Sequence, residues 1–432
     1  MLRAFVNSFK VPDLRNKIFF TLFVIALYRL GSHVPVPVVD IGILQDQVEA
    51  QQGQTGFLGF IDLFSGGALT RMAVFGLGIM PYITSSIIMQ LLTVVIPKLE
   101  QWQKQGEQGT KRINQWTRYV TVILALLQST GLVFLFNSPT ASQGLGVSIF
   151  PAGTFTAQNI ALIVLVMTAG TAMIMWMGEL ITQRGIGNGM SILIFASVIS
   201  RLPQDGRAIL LSGGMGKFIT ILLIGLAIIV GVIFIEQGQR RIPVQYAKRV
   251  VGRRMTAGGS TYIPLKVNQS GVIPIIFASS LLYFPTLLAS VYQAEWFQNF
   301  VGRYVTNARS PVYMVIYGLL VIFFAYFYTA IAFNPVDTAD NLRKYGGFVP
   351  GIRPGPPTAD YLSSVLTRIT LPGSLFLASI ALLPAIFFAF FLPVQNFPFG
   401  GTSLLITVGV ALETMKQLES QLLMRHYEGF LS

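Results

Sequence analysis

The chain has 432 residues, of which 53% are hydrophobic and 11% are charged, and its formal net charge is +13. Soluble domains carry roughly 25% charged residues, so this composition excludes an ordinary water-soluble fold of this size. Because cysteine is absent and only two histidines occur, we exclude a disulfide framework and thiolate metal sites, and we predict no metal and no cofactor.

Apolar runs near the length that a bilayer requires, about 20 residues, recur along the chain. They predict an all-α integral membrane protein with ten transmembrane helices, preceded by a short amphipathic segment (residues 1–17) that does not resemble a cleavable signal peptide. The fifth run is short for a span, so hydropathy does not fix its ends. The predicted spans are residues 18–34, 72–97, 117–137, 158–178, 189–202, 216–236, 271–291, 311–333, 371–392 and 403–421.

The distribution of basic residues orients these spans. With both termini in the cytoplasm, 23 of the 30 Lys and Arg residues fall in inside segments and 7 fall outside or near outer helix ends. Cytoplasmic loops retain positive charge, so the pattern predicts a multi-pass plasma-membrane protein with cytoplasmic N- and C-termini. It also explains most of the basic excess, which weakens a nucleic-acid interpretation.

Ten spans divide into an N-terminal half, residues 1–202, and a C-terminal half, residues 203–432. Because each half has an odd number of spans, the halves must have inverted topology if they are structurally related. Transport proteins commonly use this plan and place the path at the interface between the halves.

Residues 56–70, GFLGFIDLFSGGALT, are apolar but too short to span, and the pair Gly66-Gly67 ends any helix that begins at Phe57. One interpretation is a re-entrant half-helix, since non-helical backbone at membrane depth must be buried in protein or line a cavity. The alternative is an amphipathic helix that lies on the outer membrane surface.

The second and seventh predicted spans share a pattern in which a proline is followed by hydroxyl-bearing residues. Hydroxyl groups in a bilayer normally face other helices, so these two spans could meet at a separable interface. Ordinary helix packing is the alternative explanation. The residues are Pro81, Thr84, Ser85, Ser86 and Gln90 in the second span and Pro274, Ser279 and Ser280 in the seventh.

Two long cytoplasmic loops, residues 237–270 and 334–370, are basic. The first alternates polar with β-branched residues around Gly258-Gly259, which predicts a hairpin-like protrusion. The second is rich in glycine and proline, which favours an ordered, kinked loop over a helix. We interpret both protrusions as docking surfaces; the alternative is an orientation signal with contact to anionic lipids.

No predicted span carries an acid–base set in its interior. Proton- and ion-coupled carriers usually keep an ionisable residue near the midplane, so the sequence argues against the alternative function, a secondary transporter of a small solute. An intramembrane enzyme would need paired aspartates, a Ser/His pair or a metal set within the spans. We therefore predict that the chain is not an enzyme.

Characteristic motifs occur in order from the N-terminus to residue 430. They are LFSGGALTRMAVFGLGIMPYITSSIIMQLLTVVIP, RGIGNGMSILIF, RRIPVQYAKRVVGRR, STYIPLKVNQSGVIPIIFASS, YTAIAFNP, ADNLRKYGGFVPGIRPG, GGTSLLITVGVALE and YEGFL. In their joint order, and not by any one of them, these motifs resemble the bacterial SecY family, the pore subunits of the Sec protein translocon.

The resemblance implies a channel that translocates unfolded polypeptides across the plasma membrane and releases signal sequences and transmembrane segments laterally into lipid. It implies two inverted halves of five helices, with a plug at residues 57–71 and a lateral gate between the second and seventh spans, assisted by the third and eighth. The implied partners are the SecE and SecG subunits, the SecA ATPase motor, the ribosome, and signal sequences with nascent or unfolded polypeptides.

The resemblance also implies site residues, beginning with a ring of apolar side chains at the central constriction. A narrow apolar collar disfavours hydrated ions and can gate by dewetting. The ring positions are Ile83, Ile87, Met190, Ile194, Ile276 and Ile406. Met190 stands where isoleucine is common, and its flexible apolar side chain is expected to preserve the seal.

The remaining implied residues belong to the plug, the gate and the docking surfaces. The plug residues are Ile61, Leu63, Phe64, Ser65, Gly66 and Gly67, and the gate residues are Thr84, Ser86, Gln90, Ser279 and Ser280. The partner-binding residues are Arg240, Arg241, Lys248, Arg249, Arg253, Arg254 and Arg353. Exposed basic side chains would add salt-sensitive affinity for ribosomal RNA, whereas pairing with acidic neighbours inside the loops is the alternative role.

Overall fold

The computed structural model describes residues 8–39, 62, 64–137, 155–246, 249–251, 254–256, 260–291, 294–306, 310–390 and 401–428. The described helices are α1 Pro12–Gly31, α2 Met80–Val95, α3 Pro97–Lys104, α4 Glu107–Asn137, α5 Ala157–Arg184, α6 Gly189–Gln237, α7 Ile273–Val291, α8 Glu295–Val301, α9 Pro311–Ala332, α10 Pro335–Lys344, α11 Pro356–Phe390 and α12 Gly401–Glu428. The described strands are β1 Gln239–Tyr246, β2 Arg249–Val251, β3 Arg254–Thr256, β4 Ser260–Lys266 and β5 Gly347–Phe348. A short π-helix, Gly302–Thr306, follows α8.

Among the described residues, five helices are long and apolar enough to cross a membrane, or six if the bent pair α2 and α3 is one span. The five lie in α4, α5, the second part of α6, α9 with α10, and α11. Helices α2 and α3 meet at a 100° bend. Pro97 begins α3 there, a position where its missing backbone donor costs nothing. The chain is therefore a multi-pass helical protein, and the count of ten spans stays a prediction.

Helix α6 consists of two helices joined at Gly214, whose φ of 72° and ψ of 173° are not helical. The first part begins at Gly189 and continues past Pro203, so this helix is longer than the predicted fifth span, 189–202. The predicted boundary between the halves, at 202/203, falls inside this first part, and the break in the helix comes at Gly214.

The predicted start of the second span, residue 72, is wrong, because helix α2 begins at Met80. The preceding residues form a turn-rich loop in which Gly67 and Gly78 have positive φ values of 84° and 58°. A bridge between Pro35 and Ala73 ties this loop to the chain that follows α1. Many of the loop's apolar side chains are buried, so hydropathy alone does not distinguish it from a span.

The first basic loop contains a hairpin, as predicted, but the strand pairing is centred between Val251 and Arg254 and not on Gly258-Gly259. Strand β1 pairs antiparallel with β4 in a register that sets Ile242 opposite Ile263, and β2 pairs antiparallel with β3. Strand β1 also pairs with β5 of the second basic loop, Gln245 opposite Phe348. The structure therefore joins the two basic loops through one sheet. An apolar cluster beneath this sheet includes Ile242 and, from α11, Leu362.

The prediction that residues 334–370 form a kinked loop without helix is wrong. Asn334 caps α10, because its side chain accepts hydrogen bonds from the backbone N–H groups of Val336 and Asp337. Pro335 and Pro356 each stand at the start of a helix, where proline is favoured. These prolines therefore begin α10 and α11, and only residues 345–355 between them are outside a helix.

Candidate functional site

The six expected ring residues lie on α2, α6, α7 and α12, two helices from each predicted half. Ile83 is half-buried and packs against an apolar cluster in which the ring residues Met190, Ile194, Ile276 and Ile406 are buried. Ile87 lies one helical turn from Ile83, in a neighbouring cluster that Ile83 also contacts. The structure thus brings five of the six together and places the sixth beside them.

Met190 owes its position to the start of α6 and to a glycine on α5. The Asn188 side chain accepts a hydrogen bond of 3.1 Å from the Met190 backbone N–H and so caps the helix. The Met190 side chain packs against Gly178, where an added Cβ would lie 2.4 Å from the Met190 sulfur. The glycine allows α5 and α6 to approach closely, and the flexible thioether fills the remaining space.

Asp62 organises the loop that precedes α2. Its Oδ1 accepts hydrogen bonds from the Thr70 N–H at 3.1 Å and from the Ser65 hydroxyl at 3.3 Å, and its Oδ2 accepts from the Thr70 hydroxyl at 3.3 Å. The Ser65 hydroxyl in turn accepts a bond of 3.1 Å from the Leu69 N–H. These bonds close the loop on itself. We refer to residues 62 and 64–70 as the Asp62 knot.

An ion pair fastens the Asp62 knot to α6. Arg201 Nη1 lies 2.9 Å from Asp62 Oδ2, and the side chains are 22% and 2% exposed, respectively. Phe64 of the knot is buried in the same apolar cluster as the ring residues. The knot therefore lies directly beside the apolar ring, with one ionic and one apolar attachment to the bundle.

Side chains of helix α1 bind backbone carbonyl groups of the Asp62 knot. Arg29 Nη1 donates hydrogen bonds to the Gly66 carbonyl at 3.0 Å and to the Ser200 hydroxyl of α6 at 2.9 Å. The Tyr28 hydroxyl donates to the Ser65 carbonyl at 3.3 Å. Of the expected plug residues, Phe64, Ser65, Gly66 and Gly67 belong to this buried knot, whereas Ile61 and Leu63 lie outside the described residues.

The expected gate residues of α2 differ in burial. Thr84 is buried, and its hydroxyl donates to a carbonyl of its own helix at 2.9 Å. Ser86 and Gln90 are half-buried. The residue of this pattern that bonds to a neighbouring helix is Ser85, whose hydroxyl donates to the Thr117 carbonyl of α4 at 2.6 Å. Ser85 was part of the hydroxyl pattern but was not assigned to the gate.

The expected gate residues of α7, Ser279 and Ser280, are both buried but have different partners. The Ser279 hydroxyl lies 3.1 Å from the Tyr317 hydroxyl of α9. Among the residues that the structure describes, the buried Ser280 hydroxyl has no hydrogen-bond partner, and the same holds for Nε2 of Gln128 on α4. Helix α7 contacts both α2 and α4. Gln128 is a buried polar residue of α4 that the hydroxyl pattern did not identify.

The described basic residues of the protrusions are exposed on the sheet and the second loop. Arg240, Arg241 and Arg353 are exposed, and the Arg241 guanidinium lies 4.8 Å from the centre of the Tyr262 ring. Among the described residues, Arg353 forms no ion pair, while its carbonyl accepts a hydrogen bond from the Thr358 hydroxyl at 2.8 Å.

The other expected partner-binding residues are placed only through the backbone or not at all. Arg249 lies on β2 and Arg254 on β3, at opposite ends of a short antiparallel pairing. Lys248 and Arg253 lie outside the described residues. The structure therefore brings Arg240 and Arg241 into one sheet with the second loop.

Comparison with known proteins gives a consistent result. The SecY family model matches residues 73–415. A protein translocase subunit SecY from Streptomyces galbus is 55% identical over 440 residues, with complete coverage of both chains.

Two solved structures share the fold at low sequence identity. A SecY structure, reported for a plug domain that stabilises the closed state of the translocation channel and maintains a membrane seal, superposes with a TM-score of 0.63 at 18% identity, covering 94% of this chain and 92% of the other. Sec61 in the canine ribosome-channel complex superposes with a TM-score of 0.59 at 17% identity and the same coverage.

Proposed function

Because the chain belongs to the SecY family, we propose that it is the pore-forming subunit of a plasma-membrane translocon through which unfolded polypeptides cross the bilayer. Its function is protein translocation, and it is a channel subunit and not an enzyme. Membership of this family does not favour the alternative of a small-solute transporter.

The apolar cluster around Ile276 and Ile406 is the observation that carries the pore proposal. Helices from both predicted halves contribute to it. Contacts between apolar side chains have no preferred direction, so such a collar can open and close again around chains of any sequence. Closed, it offers a hydrated ion no replacement for its water shell.

We propose that residues 57–71 form a plug on the outer side of this collar. The burial of the Asp62 knot and the contact of Phe64 with the ring cluster support this assignment. The described part of the segment is buried against protein, which favours the re-entrant interpretation over a helix lying on the outer membrane surface.

We further propose that α2 and α4 part from α7 and α9 to release signal sequences and transmembrane segments into lipid. The contacts of α7 with α2 and α4 support a seam at this place. The buried hydroxyl of Ser280 on α7, which has no hydrogen-bond partner in the described part of the chain, also supports it, because such an atom weakens a closed interface and would gain a partner when another chain enters.

The proposed topology has ten spans in two inverted halves, with both termini in the cytoplasm. The split of 23 inside to 7 outside Lys and Arg residues supports the orientation. The helix break at Gly214 supports a boundary between the halves about a dozen residues after the sequence-based boundary at 202/203.

The proposed partners are SecE and SecG in the membrane, SecA or the ribosome on the cytoplasmic side, signal sequences with unfolded polypeptides, and anionic lipids around the spans. The sheet that joins the two basic loops supports a docking surface, since Arg240, Arg241 and Arg353 are exposed there. Basic side chains suit polyanionic ribosomal RNA and acidic protein surfaces.

Reconstitution tests the proposal. The chain is placed in vesicles with SecE and SecA, and protection of a preprotein from external protease is measured after ATP is added. We expect ATP-dependent protection, whereas uptake of small solutes without protection of the preprotein would refute the proposal. Arg353→Glu should lower this protection, while Arg303→Glu, predicted on the opposite side, should leave it unchanged.

A further inference from the structure

The ion pair between Asp62 and Arg201 is a charged contact beside an otherwise apolar constriction, so its presence there requires an explanation. Asp62 is almost fully buried, with 2% of its side chain exposed. Burying a carboxylate is unfavourable unless it is paired and hydrogen-bonded. A tight turn alone would not require a charge, since the single carbonyl oxygen of an uncharged asparagine can accept the two Oδ1 bonds, from the Thr70 N–H and the Ser65 hydroxyl.

The bonds of the Asp62 carboxylate divide into two groups. Its bonds to Thr70 and Ser65 lie within the knot and can persist if the knot moves as a unit. Its bond to Arg201 crosses to α6 and must break if the knot moves away from the ring. Within the described part of the chain, this is the one ion pair between the knot and the helices.

We propose that Asp62 and Arg201 form a latch that sets how easily the channel opens, and so how strongly a signal sequence must bind before the plug is released. The proposal rests on the proposed function of residues 57–71 as a plug. In the closed channel the ion pair is sheltered and intact. When a signal sequence separates the helices, water reaches both charged side chains and screens them. The attraction between the two charges then falls, so the ion pair no longer holds the knot in place.

Asp62 and Arg201 suit the role of a latch better than Tyr28 and Arg29, the neighbouring residues that also contact the knot. Arg29 and Tyr28 hold the knot through backbone carbonyls, so any residue in the knot could accept those bonds. The Asp62–Arg201 contact depends on two specific side chains. A substitution at either one changes the strength of the latch and keeps the backbone contacts.

The first test compares Asp62→Asn, Arg201→Gln and the charge-keeping Arg201→Lys, each as a full chain assembled with its partners. Arg207→Gln is the matched control, because Arg207 is exposed and follows on the same helix. The readouts are export of one reporter with a defective signal sequence, export of the same reporter with an intact one, and ion leak through resting channels.

We expect Asp62→Asn and Arg201→Gln each to raise export of the defective reporter at least about tenfold, since breaking a buried ion pair is strongly unfavourable. Resting leak should rise in parallel, and export of the intact reporter should change little. Arg201→Lys keeps the positive charge and should retain much of the discrimination. Asp62→Asn and Arg201→Gln variants that match the wild type, or an Arg201→Lys variant as permissive as Arg201→Gln, would overturn the proposal.

A second test replaces the ion pair by a covalent bridge and so does not depend on the charges of Asp62 and Arg201. The chain contains no cysteine, so Asp62→Cys with Arg201→Cys can be bridged selectively by a short, reducible thiol crosslinker. The bridged channel should lose export of the intact reporter, and reduction should restore it. Normal export by the bridged channel would show that the two positions need not separate, which overturns the proposal.

The two proposals fail in different ways. If the unmodified chain does not export the intact reporter, the proposed translocation function fails. If export of the intact reporter is normal but the defective reporter is excluded equally by the wild type, Asp62→Asn and Arg201→Gln, only the latch fails.

Discussion

Two interfaces next to the apolar ring are built in opposite ways. The Asp62 knot is attached to α1 and α6 by directional polar contacts, including the Asp62–Arg201 pair at 2.9 Å and the hydrogen bond of 3.0 Å from Arg29 Nη1 to the Gly66 carbonyl. Helix α7, which contacts α2 and α4, instead carries Ser280 one turn after the ring residue Ile276, and the buried Ser280 hydroxyl has no hydrogen-bond partner among the described residues.

The difference indicates which of the two interfaces stays closed in the resting channel and which one separates. A buried polar network is costly to break, because each lost bond leaves an unsatisfied group. An interface that already contains unsatisfied groups has less to lose when it opens. The knot is therefore suited to hold the resting state, and the α2–α7 seam is suited to respond to an incoming chain.

The largest expected effect comes from breaking the close packing behind the knot. At Gly170 of α5, an added Cβ would lie 2.1 Å from the Val74 carbonyl oxygen in the loop before α2. Gly170→Ala should destabilise the fold by roughly 3 kcal/mol, since the backbone must move to accommodate it. Thermal unfolding in detergent measures this. Gly231→Ala, where nothing lies within 4 Å, is the control, and equal stability of both variants would contradict the packing.

A smaller effect is expected when one polar contact of the knot is removed. Tyr28→Phe deletes the hydroxyl that contacts Ser65 and Ser197 but keeps the ring stacked on Phe75, whose centroid is 5.8 Å away. Stability should fall by about 1–2 kcal/mol, because buried partners are left unsatisfied. Tyr119→Phe, at an exposed tyrosine, should be neutral in the same unfolding measurement. A neutral Tyr28→Phe would mean that the knot does not depend on this contact.

The smallest effect, and the sharpest contrast, is expected at two adjacent serines of α7. Ser280→Ala removes an unpartnered hydroxyl and should stabilise the closed seam by up to about 1 kcal/mol. Ser279→Ala removes a hydroxyl that contacts Tyr317 of α9, on the same side of the seam, so it should lower the stability of the fold by a similar amount and leave the opening of the seam unchanged. Export of reporters with graded signal hydrophobicity measures the seam, and thermal unfolding measures the fold. Ser280→Ala should demand more hydrophobic signals and Ser279→Ala should not, so an equal change in signal requirement for both variants would contradict the assignment of partners.

The hairpin could be predicted from a local pattern, because the alternation in residues 237–270 is that of paired strands. The apolar ring was expected only from the resemblance to the SecY family, since the one-turn spacing of Ile83 and Ile87 is equally that of ordinary core residues. The start of α2 was missed because residues 72–79 are as apolar as a span yet are held in turns by tertiary contacts. The helical start of α11 was missed for the opposite reason, since it is polar and lies outside the bilayer-length run.

The latch residues were not predicted either, although a signal was present. Asp62 is a carboxylate in an apolar segment, and a buried carboxylate requires a partner. The partner Arg201 is more than a hundred residues away in the sequence. It appeared only as one of seven basic residues on the outer side, so the pairing depends on how α6 packs.

Ion flux through resting channels tests the apolar ring most directly. Ile276→Asn and Ile406→Asn place a polar amide in the cluster without altering the Asp62–Arg201 pair or the gate serines. In vesicles that hold the chain with SecE, we expect each variant to leak ions that the unmodified channel excludes, because the amide stabilises water in the collar. Resting flux equal to that of the unmodified channel in both variants would contradict the ring.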